Sequence, residues 1–392
     1  MSKKLYERIR TQLKEMKNDG TYKEYRYLES PMSAHTRIED KGDVLVLCSN
    51  NYLGLSDKEE LIQSGIQALQ KYGAGGASVR FICGTYDIHR DLENKVAGFL
   101  GTEAALTYSS CWSANTAVIP ALLQPGDTVI SDALNHASIV DGCRLIAKGV
   151  NKAIYRHSDM SDLEEKLKEA KDSSVRLVLT DGVFSMEGDI ARLPEIVELV
   201  RKYDAVLMVD DSHATGVIGE TGKGTAEYYH MQGQVDIITG TFGKALGGAG
   251  GGFVAGRKSL IDLCVQASRP HLFSNSLPPV LTAIAGTALE YLEVHPEIVR
   301  SLREKTRYFR KQLKDRGLDI LEGDSAIIPI MIYDAPKAVR LANQLFGHGI
   351  YVTGFCYPVV PEGQARIRLQ VSDALSYEDI DRAADEIQEL VK

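Results

Sequence analysis

Five short stretches of this chain carry residues whose types and spacing could do chemistry. In AVLMVDDSHATG an apolar run ends in Asp210, Asp211, Ser212 and His213. A strand-end acid is commonly a cap or a solvated group. Directly behind five apolar residues, however, Asp210 is placed to be a half-buried carboxylate in need of a cation. A metal held by Asp210, Asp211 and His213 is a third reading, with no other clustered ligands behind it. In VDIITGTFGKALGGAGGG, Lys244 lies in a glycine-rich turn after a strand, and Ala245 stands where a Walker motif needs a hydroxyl. Small and apolar flanks suit a desolvated amine of lowered pKa, the usual preparation for a Schiff base, more than a solvated surface charge.

The third stretch, TYSSCWSAN, runs from a strand through Ser109, Ser110, Cys111 and Trp112 into a helix. The unpaired N–H groups of a helix start can hold a phosphate, or the serines can simply cap them. Cys111 at that point is also a candidate thiolate nucleophile. In SDALNHASIVDG, His136 opens a helix, either as its cap or as a flat ring against a planar ligand. In ARIRLQV, Arg366 and Arg368 share one face of a strand. Their forks suit a carboxylate, and spacing does not choose between them. Jointly the five stretches supply what pyridoxal 5'-phosphate requires: a phosphate site, a ring stacker, an acid for the pyridine nitrogen, a lysine for the aldehyde and an arginine for a substrate carboxylate.

The elements that must position these residues are legible in the same way. From about residue 57, helical stretches such as EELIQSGIQALQKYG alternate with short apolar runs: AALTY, DTVISD, VRLVLT, AVLMVD, VDIITG and GGFVAG. Strand–helix alternation predicts an α/β domain with a mostly parallel sheet, with ligands beyond the carboxyl ends of its strands. After about residue 280, charged helices lead into the strands AIIPIMI and ARIRLQV, which predicts a smaller C-terminal α+β domain. The expected division is an N-terminal helix and strand over 1–50 packing with the small domain, a large domain over 51–285 and a small one over 286–392. The first helix should carry Leu5, Ile9, Leu13 and Met16 on one face.

Across all 392 residues, 53 acidic groups outnumber 45 basic ones for a formal charge of −8, which speaks against nucleic acid or an anionic membrane as a partner. No apolar run approaches the roughly 20 residues of a membrane helix. The six cysteines and nine histidines are dispersed, without CxxC or HExxH. This predicts no metal site, and a reducing cytoplasm as the location.

The runs VRFICGT, TYSSCWSAN, ISDALNHASIVDG, TDGVFSMEGDIA, VDDSHATG, DIITGTFGKALGG, SRPHLFSNSLPP and YVTGFCYPVVPEGQARIR resemble, over nearly the whole chain, the α-oxoamine synthases of the fold-type I pyridoxal phosphate enzymes. The resemblance implies a large domain with a seven-stranded, mostly parallel sheet, and a homodimer with shared active sites. It makes Lys244 the Schiff-base lysine and base, with Thr241 on the phosphate together with the backbone of Cys111 and Trp112. Asp210 would pair with the pyridinium nitrogen, His213 with the ring 3′-oxygen, and Ser185 with the cofactor. His136 would stack on the ring and assist catalysis. Ser274 and Asn275 would reach the neighbouring subunit's phosphate, while Arg368 and Asn50 would hold the substrate. Trp112 stands where relatives carry Phe, which keeps aromatic bulk.

The reaction implied joins glycine and acetyl-CoA, through an external aldimine and a quinonoid carbanion, to 2-amino-3-oxobutanoate and CoA. The reverse direction belongs to threonine breakdown, with threonine dehydrogenase as a partner. A sister reaction, alanine with a pimeloyl thioester to 8-amino-7-oxononanoate, stays open. So does a cofactor-free acyl transfer by Cys111 with His136 as base.

Overall fold

The computed structural model describes residues 2–18 and 21–391. Strands β1 (His35–Ile38) and β2 (Gly42–Val46) pair antiparallel. Seven strands follow: β3 (Ala104–Tyr108), β4 (Thr128–Asp132), β5 (Asn151–Tyr155), β6 (Arg176–Asp181), β7 (Val206–Asp210), β8 (Ile237–Thr241) and β9 (Gly252–Gly256). They form one sheet in the order β3-β9-β8-β7-β6-β4-β5. Pairing is parallel from β8 through to β5, and β9 runs antiparallel to both its neighbours. This is the expected seven-stranded, mostly parallel sheet.

Its central strands are buried on both faces, as their unbroken apolar runs require. Leu177, Leu179 and Met208 enter one apolar cluster, whereas Val178, Leu207 and Val209 enter another on the opposite face. Six of the seven strands coincide with the apolar runs of the sequence. The seventh, β5, is an edge strand, NKAIY, exposed along most of its length, so it carries no such run.

The C-terminal part holds β10 (Ile327–Tyr333), β11 (Ile350–Tyr351), β12 (Thr353–Phe355) and β13 (Ala365–Gln370). An antiparallel sheet has the order β10-β13-β12, and β11 instead adds in parallel to β2, so late and early segments share a sheet. The helix Glu297–Asp315 buries Val299, Leu302, Thr306, Phe309 and Leu313 at helical spacing against one apolar cluster that reaches from Ala34 to Ile387. Residue 285 falls inside the helix Pro279–Val294, which runs on without a linker. The helix Lys3–Asn18 does carry Leu5, Ile9, Leu13 and Met16 as a stripe, yet none of its residues is buried. No described helix is long and apolar enough to cross a membrane.

The consequence for function is at one end of the large sheet. Asp181 and Asp210, the last residues of β6 and β7, are register partners, and Asp210 faces Thr239 of β8. Chain direction alone therefore delivers these strand ends to a common crevice.

Candidate active site

A cavity of about 200 Å³ opens at those strand ends, and its wall includes Cys111, Trp112, His136, Asp210, His213, Thr241 and Lys244. Seven of the residues singled out in the sequence thus meet in one place. They arrive at the ends of four strands: Cys111 and Trp112 after β3, His136 after β4, Asp210 and His213 at the end of β7, and Thr241 and Lys244 at the end of β8. The N-terminus of the helix Cys111–Leu122 points its first amides there, with Ser110 capping Ser113 N at 3.1 Å. Close approach of β9 makes this possible: a Cβ on Gly252 would sit 2.3 Å from Cys111 N, so only glycine fits. The Thr241 hydroxyl donates to Gly251 O (2.9 Å) and accepts from Gly243 N (3.0 Å), which fixes the turn that carries Lys244.

Two buried charges of opposite sign lack a counter-ion among the described residues. Asp210 accepts from Asn115 Nδ2 at 2.6 Å and from Ser212 N at 2.9 Å, with Cys111 Sγ 3.7 Å away, but forms no salt bridge. Arg368 donates to Ser185 O (2.8 Å) and Gln370 Oε1 (3.1 Å), its Nε has no partner, and no carboxylate meets it. Burial pulls its pKa down, as expected for a cation without its anion. Its neighbour Arg366 differs. That side chain is wholly buried and already paired with Glu187 at 3.1 Å, so it is the structural arginine of the two.

Lys244 completes the set. It has no hydrogen bond or ion pair among the described residues, and burial lowers its pKa, which favours a neutral amine. His136 proves to be a helix cap, its Nδ1 accepting from Ser138 N, and it also lines the cavity, with its ring 5.9 Å from Trp112 at 83°. Desolvation lowers its pKa, which disfavours the charged ring. Burial, reinforced by the Asp210 charge, pushes the Cys111 thiol well up. Such a thiol is a poor nucleophile, which removes the ground for the cofactor-free reading.

The other candidates are distributed differently. Asp211 turns away to accept from Thr225 N and Oγ1, and His213 Nδ1 is bonded to Tyr52, so Asp210, Asp211 and His213 do not converge as metal ligands. Ser185 meets Arg368 through its carbonyl and Asn50 meets Gln370 through its amide oxygen, beside the cavity rather than in its wall. Ser274 and Asn275 are exposed and line no part of it in this chain.

Sequence reasoning missed several participants. Asn115 and Asp181 are buried and polar, the former on Asp210 and the latter accepting from His136 N at 3.2 Å. Burial and the Asp210 charge raise the Asp181 pKa well above the usual carboxylate range. Tyr52 and Gln370 join His213 to Arg368. Only Asp181, at a strand end, carried a positional signal.

A buried anion facing a cavity without its cation, beside an unpartnered amine and a helix N-terminus, fits a phosphorylated aldehyde with a protonated ring nitrogen. The donor set therefore fits pyridoxal phosphate.

Known proteins resemble this chain over nearly its whole length. The model of the family described as aminotransferase class I and II matches residues 42–387. The 2-amino-3-ketobutyrate coenzyme A ligase of Salmonella typhimurium is 48% identical, over 97% of this chain and 96% of its own. The 8-amino-7-oxononanoate synthase of Thermosipho melanesiensis is 45% identical, over 97% and 96%. Among solved structures, a serine palmitoyltransferase from S. paucimobilis with bound PLP–myriocin aldimine superposes with a TM-score of 0.92 at 30% identity, over 99% of this chain and 97% of the other.

Proposed function

We propose a function from the premise that this chain belongs to the aminotransferase class I and II family, among the fold-type I α-oxoamine synthases. It is a pyridoxal phosphate-dependent acyltransferase that condenses glycine with acetyl-CoA to 2-amino-3-oxobutanoate and CoA, and runs the reverse cleavage. The observation that carries this reading is the pair of uncompensated buried charges, Asp210 and Arg368, flanking the unpartnered Lys244 amine. Relatives with the ligase name at 48% identity support glycine and acetyl-CoA over alanine and a pimeloyl thioester, the runner-up.

Pyridoxal phosphate, when bound, supplies an aldehyde for amines and a cationic ring that withdraws electrons from a substrate α-carbon. The amides of Cys111 and Trp112 with the Thr241 hydroxyl would hold its phosphate, Asp210 its ring nitrogen, His213 its ring oxygen and Lys244 its aldehyde carbon. His136 would lie on the ring, and Ser185 would contact the cofactor. Ser274 and Asn275, exposed here, would serve the partner subunit's site in a homodimer.

Arg368 would bind the glycine carboxylate, satisfying its missing anion, with Asn50 beside it. That hold orients the α C–H toward Lys244, whose neutral Nζ accepts the proton. His136 could then donate to the oxygen of the acyl carbon as it becomes tetrahedral. A location in the cytoplasm and threonine dehydrogenase as the source of 2-amino-3-oxobutanoate complete the proposal.

Arg368→Met should raise the glycine KM by roughly 10–100-fold, the worth of charged hydrogen bonds, with the cofactor's visible absorbance intact. An unchanged glycine KM would show that another group holds the carboxylate. Substrate choice is tested by steady-state assays that cross glycine and alanine with acetyl-CoA and pimeloyl-CoA. Glycine with acetyl-CoA should give the highest kcat/KM, and a preference for alanine with pimeloyl-CoA overturns the assignment.

A further inference from the structure

We infer that Gln370 and Tyr52 form a one-way hydrogen-bond relay from Arg368 that fixes the tautomer of His213, leaving its Nδ1 bare and its Nε2 protonated. They are positioning residues for the contact proposed between His213 and the ring oxygen, and in that respect the inference rests on the function proposed above.

The direction of each bond follows by elimination. A guanidinium has donors only, so the Gln370 atom 3.1 Å from Arg368 must be the amide oxygen. The Gln370 NH₂ group then faces the other way, donating to Asn50 Oδ1 and, at 2.9 Å, to the Tyr52 hydroxyl oxygen. The Tyr52 hydroxyl has one proton and accepts from Gln370, so that proton goes to its remaining partner, His213 Nδ1, at 2.8 Å. An imidazole nitrogen that accepts a hydrogen bond is unprotonated, and the proton of the neutral ring is on Nε2. His213 itself lines the cavity.

Burial supports the neutral forms that this requires. Tyr52 is fully buried and its pKa is pushed up to about 12, so it keeps its proton. The His213 pKa is driven well below its ordinary value by desolvation, with Lys244 and Arg368 adding to the effect. The relay spans 318 residues of sequence at one link and 161 at the next, so no local motif reveals it.

Gln370→Glu tests it. A carboxylate in the same shape accepts from both Arg368 and Tyr52, so the Tyr52 proton turns toward residue 370 and its oxygen must accept from His213 Nδ1–H. With the full-length protein labelled with ¹⁵N-histidine, and His213 identified by its loss in His213→Gln, the wild type should have a bare Nδ1 and a protonated Nε2. In Gln370→Glu, Nδ1 should gain a proton, and in Tyr52→Phe both tautomers should appear. A protonated Nδ1 in the wild type overturns the inference, as does a bare Nδ1 in Gln370→Glu.

Binding gives a second readout. Wild-type protein should prefer pyridoxal phosphate over its analogue lacking the ring hydroxyl, and Gln370→Glu should shrink that preference roughly tenfold or more. A merely structural role would weaken both ligands alike, leaving the ratio unchanged and overturning the functional half. If neither ligand binds the wild type, the cofactor assignment fails, while the labelled spectra still decide the tautomer.

Discussion

Lys244→Ala is expected to abolish covalent attachment of pyridoxal phosphate and to lower turnover by roughly 10²–10⁴-fold, the usual contribution of a positioned base. The physical ground is the state of the amine. Lys244 is buried, has no hydrogen-bond partner among the described residues, and burial lowers its pKa, which favours the neutral, nucleophilic form. Among the described residues no other lysine borders the cavity to replace it. The check has two parts: the visible absorbance of the purified protein, and its intact mass after borohydride reduction. Wild type should gain one cofactor mass and the variant none. A variant that still becomes labelled at a lysine would place the attachment elsewhere.

Asp210→Asn should be nearly as severe while leaving the fold in place. The substitution keeps the shape but removes the buried anion and turns one acceptor into a donor, against Asn115 Nδ2 or Ser212 N. Losing one member of a buried charge pair costs about 3–5 kcal/mol, which at roughly 1.4 kcal/mol per decade is about 10²–10⁴-fold in rate. The measurement that isolates this step is exchange of the glycine α-proton into heavy water without acetyl-CoA. Exchange slowed by that factor, with thermal stability close to wild type, is the expected result. Exchange within tenfold of wild type would mean that Asp210 does not support the ring cation.

These two predictions draw on different sources, which separates what the residues alone disclose from what folding adds. The runs AVLMVD, VRLVLT and VDIITG announce buried parallel strands because a strand covered on both faces must be apolar throughout, a property each strand has by itself. Chemistry placed immediately after such runs is equally local, so Asp210, His213 and Lys244 were visible as candidates, whereas Thr241 entered only through the family resemblance. Strand β5 was not visible, because a strand exposed along most of its length bears no such constraint.

Other features exist only through contacts between distant segments. Arg366 and Arg368 are equivalent in sequence, and what distinguishes them is Glu187, which pairs with one and leaves the other without an anion. Asn115 sits mid-helix with nothing local to mark it, yet its amide is the shortest contact to Asp210. Tyr52 and Gln370 acquire a role only when the two ends of the chain meet at His213 and Arg368. Sequence determined the types of element and the residues able to react, since periodicity and strand-end placement are short-range properties. Tertiary structure decided which charges are paired and which way each proton points, because burial and hydrogen-bond direction are properties of the assembled neighbourhood.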